Sequence, residues 1–194
     1  MKYRVFISYA TGDESNVKEL YDTLSRLEDI DIYIPEWITQ DGKSLVHKIK
    51  DGLNSSNLAI ALITFNSTNT MWLNQEIGYA TAKNIPVISV VEKGIDIKGF
   101  IEEQQHITFQ RGDFKYNIYQ IISKMREIFS QSNSSITHFQ ITCSACNKKY
   151  SELLPMQKNI DDAIEQSRKF SYQCKFCSTA LHVEPTTLNT QSVS

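Results

Sequence analysis

Two runs of the chain, Leu58-Ala59-Ile60-Ala61-Leu62-Ile63 and Val87-Ile88-Ser89-Val90-Val91, carry almost no polar side chain. A strand apolar on both faces belongs in the middle of a sheet covered on both sides, which is the habit of parallel sheets. Tyr3–Tyr9 and Asp31–Pro35 have strand character as well, and His106–Gln110 has it more weakly. Between these segments lie helical stripes. Val17, Leu20, Tyr21, Leu24 and Leu27 share one face behind Asp13 as N-cap, and Leu45, Val46, Ile49 and Leu53 share another behind Ser44. Trp72, Leu73, Ile77 and Ala80 form a third stripe, and Ile118, Ile121, Ile122, Met125, Ile128 and Phe129 a fourth. Strands alternating with helices at this pitch predict right-handed βαβ crossovers and an α/β fold with a five-stranded, parallel, doubly wound, flavodoxin-like sheet over residues 1–130. Ligands of such sheets bind beyond the carboxyl ends of the strands, here the loops after Tyr9, Pro35, Thr64 and Val91.

The polar run Ser130-Gln131-Ser132-Asn133-Ser134-Ser135 predicts a linker over residues 131–135. The segment that follows, 136–184, is too short for a generous hydrophobic core and calls for a staple. No cysteine precedes Cys143, and all 4 then fall between 143 and 177, as Cys143-x-x-Cys146 and Cys174-x-x-Cys177. Two such knuckles suit tetrahedral thiolate coordination of Zn2+ in a closed, structural zinc-ribbon-like site; redox pairs or unrelated core thiols are the alternative. The interval between the knuckles has room for a short helix around Asp161–Phe170. Residues 185–194, uncharged and poor in apolar groups, predict a frayed tail.

Composition narrows the function classes. Among 194 residues, 20 Lys+Arg stand against 22 Asp+Glu, for a net charge of -2, which gives no electrostatic reason to expect nucleic acid or an anionic membrane as partner. The longest apolar run is about six residues, against the roughly 20 that span a bilayer. The first residues, Met1-Lys2-Tyr3-Arg4-Val5, lack the apolar core of an export signal, so a cytoplasmic protein is expected.

Familiar nucleotide and hydrolase signatures are missing. Tyr9-Ala10-Thr11-Gly12-Asp13 is neither a P-loop nor a dinucleotide fingerprint, and no Gly-x-Ser-x-Gly elbow occurs. What remains is a set of residues at the predicted strand ends. Val5-Phe6-Ile7-Ser8-Tyr9 closes the first strand. Pro35-Glu36-Trp37 opens a long loop ending Asp41-Gly42-Lys43-Ser44. Ser56 to Thr64 leads into Trp72-Leu73-Asn74-Gln75-Glu76, and Asn84-Ile85-Pro86-Val87-Ile88 follows. The order and spacing of these boxes over residues 3 to 130 resemble the Toll/interleukin-receptor (TIR) domain family. The resemblance implies an NAD-cleaving enzyme of the prokaryotic antiviral-defence type, with Glu76 as the catalytic glutamate of a Trp-x-x-x-Glu element. It further implies Phe6, Ser8, Trp37, Lys43 and Trp72 as substrate-binding positions, with strand core open as the alternative for Phe6 and Ser8, packing for Trp72, and core or an inter-subunit contact for Trp37. It places the BB loop at Asp41–Ser44, the route of self-association, with a downstream effector protein as a further partner. Glu36 stands where many relatives carry an acid after the second strand. Ala10 and Thr11 stand where some carry phosphate-facing arginines, and Lys43 would take over that role.

One carboxylate suffices for such chemistry. Ordinary glycosidases need two, because an alkoxide leaving group must be protonated. Nicotinamide is already a cation on its sugar and departs neutral, so the demand is to hold the ribose and stabilise the developing oxocarbenium charge. A non-catalytic TIR adaptor and a nucleoside-deoxyribosyltransferase-like enzyme are the alternative readings. Taken alone, Glu76 would read first as a solvated helix charge.

Overall fold

The structure, a computed structural model, describes residues 2–37, 44–68, 71–97, 105–130 and 136–192. The expected linker 131–135 and the BB-loop residues 41–43, Lys43 among them, lie outside the described residues. In the first part of the chain, β1 (Tyr3–Ser8), α1 (Glu14–Leu24), β2 (Ile30–Tyr33), α2 (Leu45–Asn54), β3 (Leu58–Ile63), α3 (Met71–Ala82), β4 (Val87–Glu92), β5 (Ile107–Phe109) and α4 (Lys115–Ser130) follow one another as the sequence predicts. A single 3-10 turn, Pro35–Trp37, follows β2. The five strands are all parallel in the order β2-β1-β3-β4-β5, the doubly wound, flavodoxin-like arrangement. The apolar runs are its central strands, with Ile60 beside Ile88 and Leu62 beside Val90. All six residues of β3 are buried.

Strand alternation divides the core in two. Val5 and Ile7 pack with Leu20, Leu24, Ile118 and Ile121 of α1 and α4. Phe6 faces the opposite way, packing with Ile49 and Leu53 of α2 and Ala80 of α3. Ser8, two residues on from Phe6, shares that second face.

The C-terminal part forms a hairpin, β6 (His138–Thr142) with β7 (Lys149–Leu153), then α5 (Gln157–Glu165), then a three-stranded antiparallel sheet of β8 (Phe170–Gln173), β9 (Ala180–Val183) and β10 (Thr190–Ser192). The interval helix therefore exists but starts and ends earlier than Asp161–Phe170. The expected frayed tail is corrected more sharply. Pro185, Thr186, Thr187 and Leu188 are buried, and Thr190–Ser192 pairs with β9. Leu188, fully buried, supplies the apolar anchor that the bland composition hides.

Three turns in this region share one backbone pattern. In each, the first residue's N–H reaches the carbonyl five positions on, the fifth residue's N–H reaches back to the first carbonyl, and the fifth residue has positive φ. The pairs are Cys143/Lys148 with Asn147 (φ 58), Cys174/Thr179 with Ser178 (φ 57), and Glu184/Asn189 with Leu188 (φ 55).

The C-terminal part is not a separate body on a tether. Leu27, which the periodicity assigns to the first helix, lies past its end and forms an antiparallel bridge with Phe139 of β6. The bridge is flanked by Glu28 N–H to His138 O at 3.1 Å and Gln140 N–H to Arg26 O at 2.8 Å. It meets the sheet at the edge where the parallel strands begin, opposite their carboxyl ends.

Candidate active site

Glu76 sits in the apolar stripe of α3, between Leu73 and Ala80 on the side that meets the sheet. It is only 7% exposed, so it is not a solvated helix charge. Ser8, at the carboxyl end of β1 and on the same face of the sheet, donates its hydroxyl to Glu76 Oε2. Burial pushes the Glu76 pKa up to about 7; the Ser8 hydrogen bond opposes the shift and the nearby Glu36 charge adds to it.

Glu76 and Ser8 open onto a cleft of about 270 Å³ whose walls also include Tyr9, Thr11, Glu14, Glu36 and Leu73. This is just under the range of about 300–1,000 Å³ for ligand pockets. Among its described lining residues there are three carboxylates and no cation. Glu76 also lines an apolar hollow of about 140 Å³ with Val46, Ile49, Lys50, Gln75 and Tyr79. Desolvation raises the Glu36 pKa too, although its side chain stands exposed at the rim.

The other predicted site residues scatter around this pair. Phe6 is core, 1% exposed and stacked on Tyr33 at 6.1 Å, so its side chain lies beneath the cleft. Trp37 donates from Nε1 to the Tyr9 hydroxyl at 3.2 Å and meets the Tyr21 ring edge-on at 5.0 Å. It therefore buttresses a cleft residue and is not itself part of the described wall. The backbone of Trp72 is in the first turn of α3; its side chain lies outside what is described. Glu14, Tyr9, Leu73 and Lys50 line these two hollows without being among the expected site residues. Glu14 and Tyr9 flank the end of β1, the position at which a doubly wound sheet offers ligand contacts, and that was the available signal.

Two buried acids tie the loops around the cleft together. Asp13 occupies the N-cap position of α1 but makes no side-chain cap bond. Its carboxylate instead accepts from Thr64 Oγ1 at 2.6 Å and Asn66 Nδ2 at 2.8 Å. Ser44, by contrast, caps α2 as expected, accepting from the His47 N–H. Glu92, at the end of β4, accepts Arg111 Nε at 2.7 Å, Arg111 Nη2 at 3.2 Å and the Phe65 N–H at 3.1 Å. The ends of β1, β3, β4 and β5 are thereby cross-linked through side chains. A larger hollow of about 800 Å³, lined in part by Asp22, Arg26, Lys115, Gln140 and Glu184, lies at the junction with the C-terminal part. It holds none of the strand-end residues and is a separate feature.

The sulfurs of Cys143, Cys146, Cys174 and Cys177 all lie within 4.8 Å of one another. Sγ of Cys143 is 3.7 Å from that of Cys177, and Sγ of Cys146 is 3.7 Å from that of Cys174. A tetrahedral ion with metal–sulfur bonds of about 2.3 Å sets its sulfurs about 3.8 Å apart. That spacing fits a metal and is far beyond the roughly 2.05 Å of a disulfide.

A TIR domain family model matches residues 5–122, most of the chain and all five strands. The chain belongs to the TIR domain family. Among solved structures, the TIR domain of the Toll-related receptor TRR-2 from Hydra magnipapillata is similar at 16% identity and a TM-score of 0.54, covering 66% of this chain and 98% of that one. Translation elongation factor SelB from Methanococcus maripaludis, solved with a GTP analogue, gives 14% identity and a TM-score of 0.41 over 71% of this chain and 36% of its own. No curated protein matches the sequence significantly. The likeness to the Hydra domain concerns the fold, and the four-cysteine cluster lies C-terminal to the segment matched by the TIR family model.

Proposed function

We propose that this TIR protein cleaves NAD at the nicotinamide–ribose bond, releasing nicotinamide together with ADP-ribose or a cyclic or otherwise modified ADP-ribose. Such a product would serve as a signal, as in prokaryotic antiviral defence. The observation that carries the reading is a buried carboxylate, Glu76, held by Ser8 in a cleft beyond the carboxyl ends of β1 and β2. As the base leaves, positive charge builds on the ribose, and an ionised carboxylate already desolvated beside it stabilises that charge without reorganisation. A cleft whose described walls hold three carboxylates attracts the cationic nicotinamide riboside end of NAD. Lys50, in the adjoining hollow, and Lys43 of the BB loop are the cations assigned to the phosphates.

Assembly belongs to the same reading. TIR domains commonly self-associate, and Leu45 (39% exposed) and Val46 (43% exposed) stand on the surface just after the BB loop. Docking there would complete the site in an ordered multimer and leave the monomer nearly silent, with an effector protein reading the product. The cysteine cluster is assigned a structural Zn2+, whose four sulfur ligands leave no open position for catalysis. Among the described residues no helix is long and apolar enough to cross a membrane, in keeping with a cytoplasmic role.

The test is nicotinamide release from NAD by assembled protein. Glu76→Ala is expected to lower the rate by about 10²–10³, the size of loss seen when a preorganised charge stabiliser is removed. Unchanged turnover in that variant, or none in the assembled parent, would falsify the reading. An adaptor would retain all its binding after the same substitution.

A further inference from the structure

We infer that the four-cysteine module is a structural part of the TIR core, so that the metal it holds sets the stability of the sheet that carries Glu76. The inference rests on reading the cysteines as a metal site. One continuous cluster of buried side chains runs from Val5 and Ile7 of β1, through Leu24 and Leu27, to Phe139 and Ile141 of β6 and on to Cys143 and Cys174 themselves. Phe139 is fully buried, and Leu27, which it meets, is 1% exposed. Absent β6, Leu27 would face water.

The polar contacts run the same way. Besides the two backbone bonds around the Leu27–Phe139 bridge, the Thr137 N–H donates to Asp29 Oδ2 at 3.0 Å and Ser151 Oγ donates to Glu28 Oε2 at 2.9 Å. Arg126 Nη1, from α4, reaches the Pro155 carbonyl at 2.9 Å, and Arg26 Nη2 reaches Asn189 Oδ1 at 2.6 Å. The segment from Arg26 to Asp29 thus touches both halves of the module.

Topology supplies the lever. β6 is the strand that docks on the TIR sheet, and its last residue, Thr142, is followed directly by the first ligand, Cys143. The first knuckle is the turn of the β6–β7 hairpin and the second is the turn between β8 and β9. An ion shared by both knuckles ties the two hairpins together at one point. Each hairpin on its own is at best marginally stable. Removing the ion leaves the β6–β7 hairpin tied to β8–β10 by side-chain contacts such as the Lys175–Glu152 ion pair at 2.8 Å and the Tyr150 hydroxyl on the Gln173 carbonyl at 3.4 Å, and β6 loses part of the support that holds Phe139 against Leu27. A single cooperative unit would feel that loss throughout.

The sequence provides a clean readout, because the 2 tryptophans, Trp37 and Trp72, both lie in the TIR part. Tryptophan fluorescence therefore follows unfolding of the TIR part, while bound zinc is counted separately with a chromogenic chelator. Full-length protein purified with zinc should carry one ion per chain. Stripping it with a strong chelator should lower the fluorescence-detected melting midpoint by about 10 °C or more, and re-adding zinc should restore it. Phe139→Ala, which leaves every ligand in place, should keep the zinc and still lower the tryptophan midpoint. Stoichiometric zinc release with an unmoved tryptophan midpoint would show two independent units and overturn the coupling while leaving the metal site standing. The same midpoint in parent and Phe139→Ala would also overturn it. Protein that takes up no zinc would remove the metal assignment and the coupling together.

Discussion

Glu76, in the role proposed for it, sets function against stability. Its carboxyl titrates at 4.5 in an ordinary setting and near 7 in the fold, chiefly because of burial. Between those values the folded protein holds a proton that the unfolded chain has released, so raising the pH favours unfolding. The stability is whole below pH 4.5 and is eroded as pH climbs through 7, by a total of about 3 kcal/mol. Glu76→Gln, which mimics the protonated form, should then resist denaturant better than the parent at pH 8 by up to that amount, and match it at pH 4. Equal denaturation midpoints at both pH values would mean that the carboxyl is not desolvated as described. Under the proposed NAD cleavage, the ionised form is the one that can stabilise ribosyl cation character, so turnover should fall on the acid side of neutrality. Ser8→Ala removes the donor described for that carboxylate and should move the acid limb upward by about one pH unit, with the plateau rate largely kept. A limb that stays put would assign Ser8 a packing role only.

At the scale of elements, the contact between α2 and the sheet turns on Gly52. A methyl group added there would run into the Tyr33 ring, with the Phe6 ring close behind. Alanine ordinarily strengthens a helix interior by roughly 0.5–1 kcal/mol over glycine. Here overpacking against the half-buried Tyr33 ring and the buried Phe6 ring, which costs about 1–3 kcal/mol, should win. Gly52→Ala is expected to unfold at lower denaturant concentration than the parent; a rise in stability would mean that the rings yield easily. Much of this level was legible in the residues. The five strands and four helices of the sheet domain follow from apolar periodicity alone, because both periods there have a well-covered core to answer to. Legibility ended at residues whose environment is set by distant chain. Leu27 continues the helical stripe in sequence, yet it is taken by Phe139 from more than a hundred positions away. Asp13 reads as a cap and is drawn off by Thr64 and Asn66. Phe6 and Trp37 sit where the family pattern points to a ligand, but local packing gives one to the core and the other to Tyr9. That Glu76 faces inward was foreshadowed by its place three residues after Leu73; that Ser8 meets it required the sheet.

For the whole molecule, composition suggested two bodies joined by a polar linker, whereas the structure buries one continuous core across both parts. The misreading has a physical source: a short segment with few apolar residues looks autonomous only if its neighbour is assumed to be complete. The Glu184–Asn189 turn adds a last consequence. It adopts the same backbone course as the two knuckles and contains no sulfur at all, so this bend needs no ion to form. What a metal adds is therefore a rivet between loops that local conformational preference has already shaped, and its loss would leave the bends intact while loosening the fit between them.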